Sequence, residues 1–481
     1  MKKILLTVLT ASGVIGSGFA QTTLYMNPAT AGTNLTGTSI WATNLGGTYD
    51  QTWANGNNMY FDPTTNSQYG ISASIVTGGT ITIGNTTAGA QEVRLNDLST
   101  NAVSFTNVTF LDTSASDSVR YNGRSLPGGS FSVNGRGNVT LGNNTPTSAL
   151  NGTITVNAGA GISNSAQISP FTGYLSTNTA IVLNGQSSSS LATLTLDAAK
   201  VSTIGSLSGN TYTTINSGNS GGLTNTLIIN QSSDTTYGGV FTFSTGRPGL
   251  IEKHGSGTLT FSGANAFNNQ VTDFAVSGGR LIVGNTNNTT TTADYNAIAV
   301  NAGGTLASDA TGRTLVGNSQ TVSGGLITGG SNTNGFIATT AGATSIIDPT
   351  GIFALTQLQA TNGLTLKIDS ATDRLSLFTL AGATNAGGFS IDLTGFSGIA
   401  DNTTYTVLSW VSGTGVELAD FAGVLSGGKS MNSAFGSGGF QFFTDAGVTS
   451  LQLQVVPEPA TWALLAGAGA LLVLVRRRKR A

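Results

Sequence analysis

Cysteine is absent from the 481 residues. That excludes a disulfide framework, a thiolate metal site and lipid attachment at an N-terminal cysteine, and leaves burial and backbone hydrogen bonds to hold the fold. His254 is the single histidine, and only 8% of residues are charged. Carboxylates are spread thinly, with no cluster that spells out a metal or acid–base site, so no catalytic residue, cofactor or metal ligand is assigned. Proline is scarce, at 9 residues, and the body shows no stretch with the 3.6-residue period of an amphipathic helix. What the chain has in quantity is glycine, 67 residues, together with Ser, Thr and Asn. Disordered chains share that bias but lack regularly spaced β-branched and apolar residues, which recur throughout this one.

The two ends read as processing signals. Lys2-Lys3, the apolar run Ile4 to Leu9 and the small residues up to Ala20 form a secretory signal peptide over 1–20, with cleavage between Ala20 and Gln21 by signal peptidase after Sec-type export. At the other end, Pro457 and Pro459 lack backbone donors and push their predecessors out of the helical region, so Pro457-Glu458-Pro459 is extended and open to another protein. Residues 460–475 carry no charge and make a helix of roughly 24 Å, a marginal transmembrane span against a hydrocarbon core of about 30 Å. Arg476, Arg477, Arg478, Lys479 and Arg480 then form a stop-transfer cluster held in the cytoplasm. Without the leader and tail cations and Glu458, the body carries a charge of about −8, which gives no electrostatic footprint for nucleic acid.

In its order of proline triplet, short apolar helix and terminal arginines, segment 456–481 resembles the PEP-CTERM sorting signal of bacterial exported proteins. The resemblance implies an exosortase-type membrane protease that cuts near Pro457-Glu458-Pro459 and passes the body to the cell surface or extracellular matrix. A plain membrane anchor is the alternative.

Between the signals the chain divides into three. Residues 21–70 hold Tyr25, Trp41, Tyr49, Trp53, Tyr60, Phe61 and Tyr69, an aromatic N-terminal cap for the open end of a repeat. Core packing is the reading of Trp41 and Trp53, with carbohydrate stacking as the alternative. Residues 71–388 consist of short period-two strands such as Ile81-Thr-Ile83 and Thr153-Ile-Thr-Val156, each ended by Asn or Gly, which tolerate the positive φ of a tight corner. Val276, Val300 and Val322, followed by Leu281, Leu306 and Leu326, line up at spacings of 24 and 22 between the valines, and Leu259 precedes Leu281 by 22, the mark of stacked coils. The stretch from Gly249 to Phe267, continued by Phe274 to Val283, resembles the autotransporter-associated β-strand repeat, which implies a parallel β-solenoid, or β-helix. Residues 389–455 have stronger alternation and more aromatics, an antiparallel C-terminal β cap.

Four motifs compete with this reading. Gly423 to Ser430 spells a phosphate loop but lacks a following helical sequence. Gly218-Asn-Ser220-Gly-Gly222 spells a nucleophile elbow without its strand-to-helix turn. His254 reads as an exposed coil residue. Glu252, Asp273 and Asp294 are 21 apart and suggest a calcium ladder, but measured from the aligned valines they do not stack. The expectation is therefore an all-β, non-enzymatic structural protein of the surface or matrix, in contact with extracellular polysaccharide. A polysaccharide-binding or polysaccharide-cleaving β-helix enzyme and a surface adhesin are the alternatives.

Overall fold

The structure is a computed structural model. It describes residues 22–457 apart from 28–39, 52–56, 62–66, 72–77, 86–91, 98–104, 113–117, 123–128, 136, 142–149, 160–165, 171–172, 197–199, 218–224, 244–248, 264–271, 285–296, 311–312, 316–320, 324–325, 330–335, 340–344, 361–363, 382–388, 397–399, 401, 426–428 and 433–438, and beyond 457 it describes 467, 469–470 and 476.

Alternating residues build a parallel β-solenoid. On the face that runs its whole length, a 17-stranded sheet, each strand except Trp41–Ala42 pairs in parallel with the strand one coil away. Leu24, Met59, Ile81, Val108, Phe131, Ile154, Ile181 and Leu207 stand one above the next in register, and all are buried. Because the side-chain period is two, keeping one apolar residue per coil in register keeps every second residue inside and its neighbours outside. Parallel stacking also aligns polar residues at the corners. Asn157 Nδ2 donates to Asn134 Oδ1 at 2.7 Å, and Asn184 Nδ2 donates to Asn157 Oδ1 at 2.8 Å, a ladder across three coils. Asn157→Ala removes both bonds and is expected to cost about 1–2 kcal/mol. Hydrogen exchange of strands Ser130–Gly135 and Ala180–Asn184 will read this as roughly tenfold faster local opening.

The second face changes along the rod. An 8-stranded parallel sheet lies opposite the long sheet from Ser67–Ile71 to Val240–Thr242 and then ends. A 13-stranded sheet takes over from Val201–Ile204 onward. Between about 201 and 242 both are present, so those coils have three faces, as in Val201–Ile204, Ser206–Gly209 and Thr213–Ser217. The first corner there turns on Gly205 alone, where an added Cβ would lie 2.3 Å from the Thr177 carbonyl oxygen. Where the third face stops, aromatic rings fill the widened core. Phe241 lies 5.3 Å from Tyr237, 5.3 Å from Phe261 and 5.8 Å from Phe274, and so joins all three sheets.

Both ends are closed. Thr23–Met26 pairs in parallel with Asn58–Phe61 and, on its other edge, antiparallel with Trp41–Ala42. Trp41 is fully buried, as expected for cap packing, so its ring offers no face to a sugar; Trp53 lies outside the described residues. At the far end the parallel stacking continues further than the expected cap boundary. Phe389–Leu393 and Phe421–Leu425 are parallel rungs of the long sheet, and Thr404–Thr414 pairs in parallel with Arg374–Ala381. Antiparallel pairing enters with Val448–Pro457, which lies between Thr404–Thr414 on one edge and Phe440–Asp445 with Lys429–Met431 on the other.

The repeat copies divide two to one. Val276 pairs with Val300, and Leu259, Leu281 and Leu306 stack in order, as the spacing predicts. The third copy does not stack. Thr321–Ser323 and Leu326–Gly329 form an antiparallel hairpin, and the ladders pass from Val300 to Thr339 and from Leu306 to Ile347. In the sequence Val322-Ser-Gly-Gly-Leu326 sets two glycines between two short apolar stretches, and that pattern suits a local hairpin as readily as a coil corner.

Candidate functional site

The last strand, Val448–Pro457, is where fold and tail meet. Its alternation buries Leu451, Leu453 and Val455 against the core. Its backbone is held on both edges up to its end: Asn402 N donates to Val455 O at 2.8 Å, Asn432 N donates to Gln454 O at 2.8 Å, and Pro457 stands opposite Lys429 in register. Pro457 supplies no donor and ends the ladder. Thus no spacer separates the packed solenoid from the proline triplet. Beyond it, Gly467, Gly469, Ala470 and Arg476 are helical and exposed. Among the described residues no helix is long and apolar enough to cross a membrane. Ala20, Gln21, Glu458, Pro459, Arg477, Arg478, Lys479 and Arg480 lie outside the described residues.

Residues 455–479 match the PEP-CTERM protein-sorting motif. This PEP-CTERM match begins inside the last strand, at buried Val455, and runs through the basic cluster. The motif implies an exported protein that is held transiently at the membrane and processed by an exosortase-type protease. No curated protein matches the chain.

Geometry bears on three of the four competing motifs. Lys429–Met431, which holds the last two residues of the phosphate-loop pattern, is a strand paired with Val448–Pro457, so no helix starts where the pattern needs one. Gly218 to Gly222 lies outside the described residues. His254 is not an exposed coil residue: it ends strand Gly249–His254, and its Nε2 lies 2.8 Å from Glu252 Oε2. Two residues apart on one strand, the pair points to the same face, which the solenoid turns toward solvent. Glu252 and Asp273 do not stack, since Glu252 pairs with Ala275 and Asp273 with Leu250; Asp294 is outside the described residues.

Two charged features escape the sequence reading. Lys253, between that pair, points inward, stands in register between Ile229 and Val276, and is 1% exposed. Its ammonium donates to the carbonyls of His254, Gly255 and Gly278 at 2.6, 3.0 and 3.2 Å. Burial pushes its pKa down to about 8, with Asp234 opposing the fall.

The second is a cleft of about 600 Å³ where the long sheet turns through 349–351 and 368–373. Asp348 is 5% exposed and accepts from Arg280, and Lys367 Nζ lies 3.8 Å from the same carboxylate. Lys367 also donates to Asp369 at 2.5 Å. That hydrogen bond, chiefly, holds Lys367 above the ordinary lysine value; burial opposes it, Asp348 and the charge of Asp369 reinforce it, and Arg280 counters. Asp373, also buried, accepts from Gly351 N at 2.6 Å. These groups come from four different turns and strands, so no local pattern reveals them. The one available signal is the crowding of Asp348, Lys367, Asp369, Asp373 and Arg374 in a chain so poor in charge.

Proposed function

We propose that the protein is an exported, non-enzymatic structural component of the cell surface or extracellular matrix, displayed as a β-solenoid rod and freed by cleavage within Pro457-Glu458-Pro459. The observation that carries this reading is the continuity of the last solenoid strand with the sorting motif: the strand supplies Val455 to the core and Pro457 to the triplet. In this reading a leader over 1–20 is removed between Ala20 and Gln21. Residues 460–475 hold the precursor in the membrane, and Arg476 to Arg480 stay in the cytoplasm. In this reading the coils are of the autotransporter-associated β-strand type. Rows of outward Thr, Ser and Asn, as at Thr82, Thr109, Ser132 and Thr155, suit weak multivalent contact with extracellular polysaccharide.

The test is the mass of the intact protein and of its C-terminal peptide, recovered from surface, medium and membrane of the native host. The expected terminus lies at 457–459, without Arg476 to Arg480. Replacing all three residues of the triplet by alanine is expected to abolish release and leave the whole chain in the membrane fraction. A wild-type terminus at Ala481, found only in membranes, would overturn the sorting reading.

A further inference from the structure

A hydroxyl group both donates and accepts, and is best bound where a carboxylate and a cation stand side by side. The cleft at the corner after Asp348 offers that pairing twice, Arg280 beside Asp348 and Lys367 beside Asp369. Each member keeps hydrogen-bonding capacity beyond its ion pair: a guanidinium has five donors, an ammonium three, and a carboxylate about four lone-pair sites. Asp369, Lys367 and Arg280 remain 41%, 35% and 32% exposed at their side chains, so this capacity is accessible. Ser370 and Thr372 add hydroxyls at the rim, 2.9 Å apart. The volume falls in the range of small-ligand sites, about 300–1,000 Å³.

Charge selects among ligands. The two cations are outnumbered by the carboxylates of Asp348, Asp369 and Asp373, so a polyanion meets net repulsion, and a cationic ligand finds Asp369, the exposed carboxylate, already paired with Lys367. A neutral ligand rich in vicinal hydroxyls uses both signs without a desolvated, unpaired charge. We propose that this cleft is a binding site for a neutral pyranose unit of an extracellular polysaccharide, held by Arg280, Lys367 and Asp369, with buried Asp348 positioning Arg280. Lys367, protonated at neutral pH, serves as a donor and not as a proton-abstracting base. This deepens the display reading and rests on it for the ligand's presence at the cell surface.

Isothermal titration of the purified, processed protein with cellohexaose, with β-1,4-mannohexaose and with trigalacturonate tests the site. At least one neutral hexasaccharide is expected to bind, with trigalacturonate at least tenfold weaker. Asp369→Asn is expected to weaken neutral binding by at least tenfold. Thr372→Trp, at an exposed rim position that leaves the ion pairs intact, is expected to do the same by blocking the mouth. Absence of binding by both neutral probes at millimolar concentration, preference for trigalacturonate, or unchanged binding by Thr372→Trp each overturns the proposal. Processing at the triplet is read from the C-terminal peptide, so failure of the sugar site and failure of the sorting reading are told apart.

Discussion

Phe261→Ala is expected to cost about 3–5 kcal/mol, in the range for removing a fully buried aromatic ring. Phe261 is inaccessible to solvent and touches Tyr237, Phe241 and Phe274 with ring centroids 6.2, 5.3 and 6.0 Å away, mostly edge to face. Those partners come from three sheets, and the site is where one of them ends. A cavity there cannot be closed by a small shift of one coil, because each wall belongs to a different ladder. In a repeat protein each coil contacts only its neighbours, so the loss stays local and does not unfold the rod. Hydrogen exchange is the suitable measurement. Amides in Asn225–Asn230, Gly249–His254 and Thr258–Phe261 are expected to open about 10²–10⁴ times more often, while those in Thr153–Ala158 keep their protection. Equal acceleration along the whole rod would show that the aromatic cluster is not a local joint.

Lys253→Ala is expected to be nearly as damaging, about 2–5 kcal/mol, because it leaves three corner carbonyls without their charged donor. Lys253→Met, which keeps the stem, separates packing from charge and gives a test by pH. The folded chain holds the Lys253 proton less tightly than the unfolded chain, about 8 against 10.5. Between those values the unfolded state binds more protons, so raising pH through the window favours the fold. Below about pH 8 both states are charged, above about 10.5 both are neutral, and the contribution is flat on either side. The stability of the wild type relative to Lys253→Met is therefore expected to rise between pH 8 and 10.5, by denaturant midpoint or local exchange. A difference that stays level across that window would mean that the carbonyl cage, and not desolvation, governs the group.

Much of the solenoid was legible because one rule, alternation with a corner residue, recurs from coil to coil. Ile81 and Ile154 stand in strands that the sequence shows, and the ladder joins them through Val108 and Phe131. The same rule places Lys253 inside, two residues after Ile251, but its charge and its neighbours Glu252 and His254 suggest a solvated cluster. Tertiary packing decided otherwise, through the three carbonyls that meet its ammonium. The hairpin at Thr321–Gly329 was illegible for the opposite reason: its residues fit the repeat, and only the pairing partner tells a coil from a hairpin. The change of the second face was also hidden, since strands of all three sheets obey one alternation. The charged cleft depends on Arg280 reaching Asp348 across 68 residues, a contact that no local spacing encodes. The sorting segment is the reverse case. Its order of proline triplet, apolar run and cations is chemical information carried along the chain and needs no fold to be read.

The closing strand has a mechanical consequence. While the tail tethers the precursor to the membrane, any drag on the rod is delivered to Pro457 and passes into Val448–Pro457 before it reaches a single coil. A load directed along that strand strains its hydrogen bonds to both neighbours together, those to Thr404–Thr414 and those to Phe440–Asp445, instead of parting them one at a time. The tether is thus fastened at a seam stitched on both sides, and when the tail is cut beyond Pro457 that seam stays whole.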